Sequence, residues 1–335
     1  MSNSENAAPS FSHDPVMLAE ITSLFADVPA GTIVDATFGG GGHSESLLES
    51  RPDLTIVGVD QDAEALAAAT KRLDRFGDRV RTIHRRFDQL GEALNEYQID
   101  DVSGVLFDLG VSSPQLDRAD RGFSYRNDGQ LDMRMDTDQQ WSAADIINGY
   151  DERELASVIR RYGDERFSGR IAAAICAARP IQTTTELAAV VTSAIPAPAR
   201  RTGGHPAKRT FQAIRIEVNA ELDVLPGAID QAVEATVPGG RIAVLSYHSG
   251  EDRIVKERFA LAAGACECPD ELPCVCGAIQ TVRIVRGISK RPSKAEQETN
   301  RRARSALLRA VEKIPATRKS DGQLVGPSST GNEQG

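Results

Sequence analysis

Nowhere in the 335 residues does an apolar run approach the ~20 positions that a membrane-spanning helix needs. The opening stretch, Met1 to Ser12, is polar and lacks the basic-then-apolar order of a signal peptide. A cytoplasmic chain with no membrane association is expected. Positive charge is also short: 39 Lys and Arg stand against 48 Asp and Glu, a net charge of −9, which argues weakly against a nucleic-acid partner. Cysteines number only five. Cys176 sits in an apolar helical run and reads as a buried thiol. The other four form Cys266-x-Cys268 and Cys274-x-Cys276, which departs from the usual C-x₂-C metal pair; zinc, a disulfide and plain reduced thiols all remain open. No internal repeat is visible.

The shortage of positive charge is not uniform. From Arg283 to Lys319 the chain carries twelve Lys/Arg against three Asp/Glu. A basic patch on an acidic body is a polyanion footprint, or a solvated helix face. Residues 1–12 and 314–335 are rich in small polar residues and read as disordered tails.

What organises the chain is residues 31–43. The β-prone run Thr32-Ile33-Val34 ends at Asp35, four glycines occupy 39–42, and His43 opens a helical pattern. This is strand, glycine loop, helix, a unit that brings backbone close to a nucleotide-like ligand at a strand's carboxyl end. The spacing is not G-x-G-x-x-G, and no Lys follows the glycines, which disfavours an ATP-binding P-loop.

The unit repeats its logic downstream. A second strand, Leu54–Val59, ends at Asp60, 18 residues beyond Gly42, near the offset of a ribose-binding acid. A helix N-cap role for Asp60 is equally compatible with the helix that follows. A third strand, Val80–His84, is followed by Phe87 and Asp88, candidates to flank an adenine ring, although Phe87 also suits a core position. A fourth, Val102–Phe107, ends at Asp108. Strands alternating with helices imply an α/β, doubly wound parallel sheet with its acids on one edge. After Asp117 the rhythm breaks. Helices are expected at 143–148, 152–162, 167–178 and 185–194, with Ser142, Asp151 and Thr184 or Thr185 as N-caps. The α/β pattern resumes with helices over 215–225 and 227–236, then a strand at 241–246. Strands at 279–285 and 306–311 would close the sheet as a hairpin pair.

Pro238-Gly239-Gly240 before an apolar strand, with Asp35, the glycine loop and Asp60 upstream, favours S-adenosylmethionine over a nicotinamide cofactor. Methyl transfer from a sulfonium needs alignment of the acceptor more than strong base catalysis. Carboxylates such as Asp35 and Asp108 suit a cationic cofactor.

Widely separated runs carry a family resemblance. They include His13-Asp14-Pro15-Val16-Met17, 35–44, 108–117, Arg121-Gly122-Phe123-Ser124, Leu131-Asp132-Met133-Arg134-Met135, 205–219, 246–253 and 300–305. Over residues 12–312 the chain resembles the RsmH (MraW) family of 16S rRNA cytidine N4-methyltransferases. The resemblance implies a class I (Rossmann-like, seven-stranded) S-adenosylmethionine methyltransferase sheet with an inserted all-helical domain. The expected division is 13–115 and 213–313 for the methyltransferase domain and 116–212 for the insert. It implies cofactor binding through Gly41, Gly42, His43, Asp60, Phe87, Asp108 and Gln115, joined by Asp35 on chemical grounds. The implied acceptor is the exocyclic amine of a decoding-region cytidine in 16S rRNA of the small ribosomal subunit.

Tyr247 and Gly250 stand where the family usually has Phe and Leu, Arg301 and Gln130 replace prolines, and Leu307 replaces a common Lys. The Asp/Asn-Pro-Pro-Tyr/Phe motif of many amino-methyltransferases is missing; Asp108-Leu109-Gly110-Val111 occupies its place. Asp108 and the Ser112/Ser113 segment are therefore expected to hold the amine, with Tyr247 or His248 near the base. A structural hydrogen bond is the competing role for His248. RNA contact is assigned to His205, Lys208, Arg209, Arg253, Arg302 and Arg304. No obligate protein partner is called for, and monomer and homodimer are both compatible. The rivals are a nicotinamide oxidoreductase, a non-catalytic RNA-binding protein and a DNA amino-methyltransferase.

Overall fold

A computed structural model describes residues 15–201, 204–266, 268 and 278–318. His13, Asp14, Cys274, Cys276 and the expected tail 1–12 lie outside the described residues.

Seven strands form one sheet: β1 Gly31–Asp35, β2 Leu54–Asp60, β3 Val80–His84, β4 Val102–Asp108, β5 Thr236–Ser246, β6 Ile279–Ile284 and β7 Leu307–Arg318. The order is β3-β2-β1-β4-β5-β7-β6. The first five are mutually parallel, and β7 inserts antiparallel between β5 and β6. Order reverses between β1 and β4, which opens a crevice at their carboxyl ends. Strand β7 runs to Arg318, past the tail expected from 314, because its residues pair with β6 as far as Ile279. Strand β5 begins at Thr236 rather than 241, with Pro238-Gly239-Gly240 in a register shift against β4.

Fourteen helices are described. Around the sheet lie α1 Leu18–Leu24, α2 Gly42–Ser50, α3 Ala63–Leu73, α4 Leu90–Glu96 and α5 Ser113–Asp117. Between β4 and β5 come α6 Ala143–Gly149, α7 Glu152–Gly163, α8 Ser168–Ala178, α9 Thr184–Ala194, α10 Ala197–Arg200, α11 Lys208–Asn219 and α12 Glu221–Ala235. Then follow α13 Ser249–Ala262 and α14 Lys294–Thr299. Parallel strands buried on both faces need apolar side chains in both directions. Ile33, Ile56, Leu106 and Leu245 pack with α1–α3, whereas Val34, Val57, Phe107 and Val244 pack with α4, α12 and α13. A separate apolar cluster, from Phe123 to Val218, joins α6–α9 to α11.

The expected helices at 215–225 and 227–236 are replaced by α11 and α12. The break falls at Ala220, whose φ of 52° is left-handed, and Pro226 lies inside α12. The cap of α9 is Thr183, one residue before the expected pair; its hydroxyl accepts from the Glu186 amide in a capping box. Ser142 and Asp151 cap as expected.

Candidate active site

A cavity of about 840 Å³ opens over the carboxyl ends of β1, β2, β4 and β5 and is roofed by the inserted helices. The glycine loop forms its floor. Gly41 adopts φ 71° and caps α2, a conformation that favours glycine. A Cβ on Gly42 would sit 2.4 Å from Pro15 Cγ, so only glycine lets the loop tuck beneath that proline. Gly42 lines the cavity; Gly41 does not, and serves by shaping the turn.

Asp35 is almost fully buried at the end of β1. The Ser44 hydroxyl donates to its Oδ2 at 2.7 Å. Its Oδ1 has no well-formed hydrogen bond, the Thr37 amide giving only weak support. Burial pushes this carboxyl up to about 6, against the pull of Ser44 and His43. His43, in the first turn of α2, is buried, and neither ring nitrogen has a hydrogen bond among the described residues. Its Nε2 lies 3.6 Å from Asp108 Oδ2. A buried imidazole at a cavity wall, with an acid at 3.6 Å and no hydrogen bond of its own, can take a ligand as partner.

Asp60 accepts from the Gly39 amide at 2.7 Å and the Asp62 amide at 2.9 Å, and burial raises it to about 6. It is not a helix cap: that role belongs to Asp62, whose Oδ1 accepts from the Glu64 and Ala65 amides. Both Asp60 oxygens keep a lone pair for a ligand hydroxyl. Phe87 lines the cavity while meeting Phe107 edge-on at 5.9 Å, so its wall and packing roles coexist. Asp88 turns away into a two-pronged pair with Arg86 at 2.7 and 2.8 Å.

Gln115 is buried and fully engaged. Its Oε1 accepts from the Ser112 amide at 3.0 Å, and its Nε2 donates to Asp62 Oδ2 at 2.9 Å. The same Asp62 oxygen meets Arg121 Nη2 at 3.0 Å. Arg121 also donates to the Arg134 and Met135 carbonyls. Asp62 thus ties the cofactor edge of the sheet to the 112–135 segment. Sequence reasoning missed this hub; the only signal was an acid directly before the α3 pattern. Ser112 caps α5 and lines the cavity, its Oγ accepting from the Gln115 amide at 3.4 Å.

At the acceptor end, Asp108 Oδ1 accepts from the Tyr247 hydroxyl at 2.6 Å. Burial, and then Asp108, push the Tyr247 phenol well above its ordinary range. His248 lines the cavity, but its Nδ1 accepts from the Gly250 and Glu251 amides at 3.2 and 3.4 Å, capping α13. That assigns the proton to Nε2, which faces Glu251 Oε1 at 3.1 Å. Nδ1 is committed to the fold, while Nε2 makes no well-formed hydrogen bond among the described residues.

Of the six residues assigned to RNA, Lys208 and Arg302 line the cavity. Burial lowers the Arg302 guanidinium, while Asp117, Tyr247 and Asp108 pull the other way. His205 stacks on Tyr125 at 4.5 Å, and Arg209 donates to the Asp164 carbonyl. Arg253 and Arg304 are exposed and away from the cavity. Cys266 and Cys268 are half-buried and form no disulfide among the described residues. No cluster of three or more metal-binding side chains, and no helix long and apolar enough to cross a membrane, occurs among the described residues.

The model of the MraW methylase family matches residues 10–314. The chain belongs to that family. It is 49% identical over 311 residues to the ribosomal RNA small subunit methyltransferase H of Symbiobacterium thermophilum, covering 91% of this chain and 98% of that one. The protein of the same name from Mycolicibacterium gilvum is 50% identical over 310 residues, 90% of this chain and 83% of that one. A solved rRNA methylase from Streptococcus thermophilus is a distant likeness, 11% identical with a TM-score of 0.40 over 89% of this chain and 94% of that one. As a MraW methylase with a class I sheet, the enzyme uses S-adenosylmethionine as methyl donor. The cavity fits that cofactor: Asp35 is a buried acid with an incompletely bonded oxygen, Asp60 holds open lone pairs, and His43 has unused ring nitrogens.

Proposed function

We propose that this chain methylates the exocyclic N4 amine of a decoding-region cytidine in 16S rRNA of the small ribosomal subunit. Near-half identity to proteins named ribosomal RNA small subunit methyltransferase H, over nine-tenths of the chain, carries the reading. On this reading the enzyme works in the cytoplasm, where its subunit substrate resides.

The cofactor supplies an electrophilic methyl group on a sulfonium. The site's residues do the rest by placement. Asp60 serves the ribose, Phe87 flanks the adenine, and Asp35, Gly42 and His43 surround the methionine end. Gly41 acts from behind through the loop turn, and Gln115, itself on the cavity wall, is held in place by the Asp62 hub. Asp108 has Oδ1 fixed by Tyr247 and keeps Oδ2 for the target amine. Asp108 would take the N4 proton as the bound cofactor gives its methyl group to N4 and leaves as the neutral thioether. Ser112, in the same cavity wall, helps to position that amine. His248 positions the Tyr247 segment and does not touch the base.

RNA contact is supported by where the cations lack acidic partners. Arg166, Arg170, Arg201, Lys208 and Arg209 in the insert, and Lys290, Arg291, Arg301 and Arg304 beyond β6, make no ion pair among the described residues. The pattern is selective within these same segments: Arg118 and Arg134 in the insert and Arg309 beyond β6 are paired, as are Arg51, Arg72 and Arg86 elsewhere. Cations without acidic partners suit phosphate contact, and Lys208 among them lines the cavity. Residues 116–212, continued through α11, form the substrate-holding part. The test is transfer of tritium from labelled S-adenosylmethionine to small subunits isolated without the modification. Label in N4-methylcytidine of 16S rRNA is expected; label in another nucleoside would reassign the acceptor.

A further inference from the structure

Helix α11 turns one polar stripe toward the cavity. Lys208, Gln212, Arg215 and Asn219 recur at helical spacing, and all four line it. Asn219 is saturated: it accepts from the Met135 amide and donates to the Met133 and Arg215 carbonyls. Lys208 is exposed at the mouth. The two residues between them are different.

Arg215 Nε and Nη2 donate to Glu221 Oε1 and Oε2, each at 2.8 Å, with side chains only 15% and 10% exposed. This two-pronged pair fixes the plane of the guanidinium. A guanidinium has five donors, and the pair uses two. Nη1 makes no hydrogen bond among the described residues, yet it is not sealed off, so it opens to the cavity its side chain lines. Gln212, less than one turn earlier, donates its amide nitrogen to the Tyr162 carbonyl at 3.3 Å, leaving its side-chain oxygen open. Aromatic Phe211 and Tyr125 line the same wall, edge to face at 5.7 Å. The wall therefore offers a rigid donor pair and an acceptor beside apolar ring surfaces.

We propose that Arg215 and Gln212 read the pairing edge of the target base, Arg215 Nη1 donating to cytosine N3 and Gln212 Oε1 accepting one N4 hydrogen, the other being left for Asp108. The assignment rests on the reading that a cytosine amine is the acceptor. Uracil presents an N3–H where cytosine presents a lone pair, so it sets donor against donor at Nη1. A site built to hydrogen-bond one edge rejects the other by leaving buried polar groups unpaired. Glu221 keeps the guanidinium aimed and balances its charge.

The test compares small subunits lacking the modification, with either cytidine or uridine at the target position. R215K keeps a cation beside Glu221 but loses the fork. It should raise KM for the cytidine subunits about tenfold and lower the cytidine-over-uridine binding ratio by a similar factor. Cofactor affinity by calorimetry should be unchanged. The double variant R215M/E221M removes the buried pair as a unit, avoiding an orphaned charge. It should lose the same discrimination while still binding cofactor. If both variants keep the wild-type cytidine-over-uridine ratio, the assignment is wrong. If the wild type methylates no subunit RNA at all, the underlying function falls first, and this assignment with it.

Discussion

Asp35 shows how one residue couples stability to binding. Its carboxyl sits at about 6 in the fold against an ordinary 3.8. The folded state therefore holds the proton more tightly than the unfolded chain. The contribution favours folding below about pH 4 and is lost as pH rises through about 6. Above pH ~7 the buried carboxylate costs roughly 3 kcal/mol. Asp35→Asn should therefore raise the Tm of the ligand-free enzyme at about pH 8 and weaken cofactor binding. A cationic cofactor needs the ionised form of Asp35 and Asp60, so wild-type affinity should strengthen from about pH 5 to about pH 7 and then level off. A Kd by calorimetry that is flat over that range would contradict the cationic pairing. Asp108→Asn should lower kcat about a hundredfold in the tritium assay while the protein still binds cofactor. A rate within about threefold of wild type would remove Asp108 from the acceptor role.

At the scale of elements, the glycine loop and the Asp62 hub carry the site. Gly42→Ala forces a methyl group into Pro15 and should weaken cofactor binding about tenfold while costing roughly 1–3 kcal/mol of stability, read by calorimetry and thermal melting. Asp62→Ala removes the α3 cap and leaves buried Arg121 only the exposed Glu64 as an acidic partner. It should cost about 3 kcal/mol or more, visible as a lowered denaturant midpoint. These elements also show what the sequence could convey. Apolar runs ending in Asp35, Asp60 and Asp108 were legible because parallel strands leave an unmistakable pattern. Helix α11 was misplaced because Pro226 reads as a stop, whereas the chain breaks earlier at Ala220, in a left-handed conformation that side-chain pattern does not announce. Starting the helix at 215 hid the 208-212-215-219 stripe, and with it Arg215. His248 looked chemical because an isolated histidine near a site has no visible partner in sequence; its cap on α13 exists only in three dimensions.

At the scale of the whole molecule, the net charge of −9 conceals the basic stretch from Arg283 to Lys319 and the unpaired insert cations, which bring Arg302 and Lys208 to the cavity wall. Binding to small subunits should weaken with salt, and alanine at both Arg166 and Arg170 should flatten the slope of log affinity against log salt by about one for each phosphate no longer neutralised. An unchanged slope would place the RNA elsewhere. The sheet order was foreseeable from alternation and resemblance, but the joining of β4, the insert and β5 around one cavity was not, since the residues that close it are separated by over a hundred positions. The account as a whole predicts one modification at one site. The most direct measurement is mass spectrometry of 16S rRNA nucleosides from cells with and without the gene. N4-methylcytidine should be present in the first and absent or reduced in the second; an unchanged level would contradict the account.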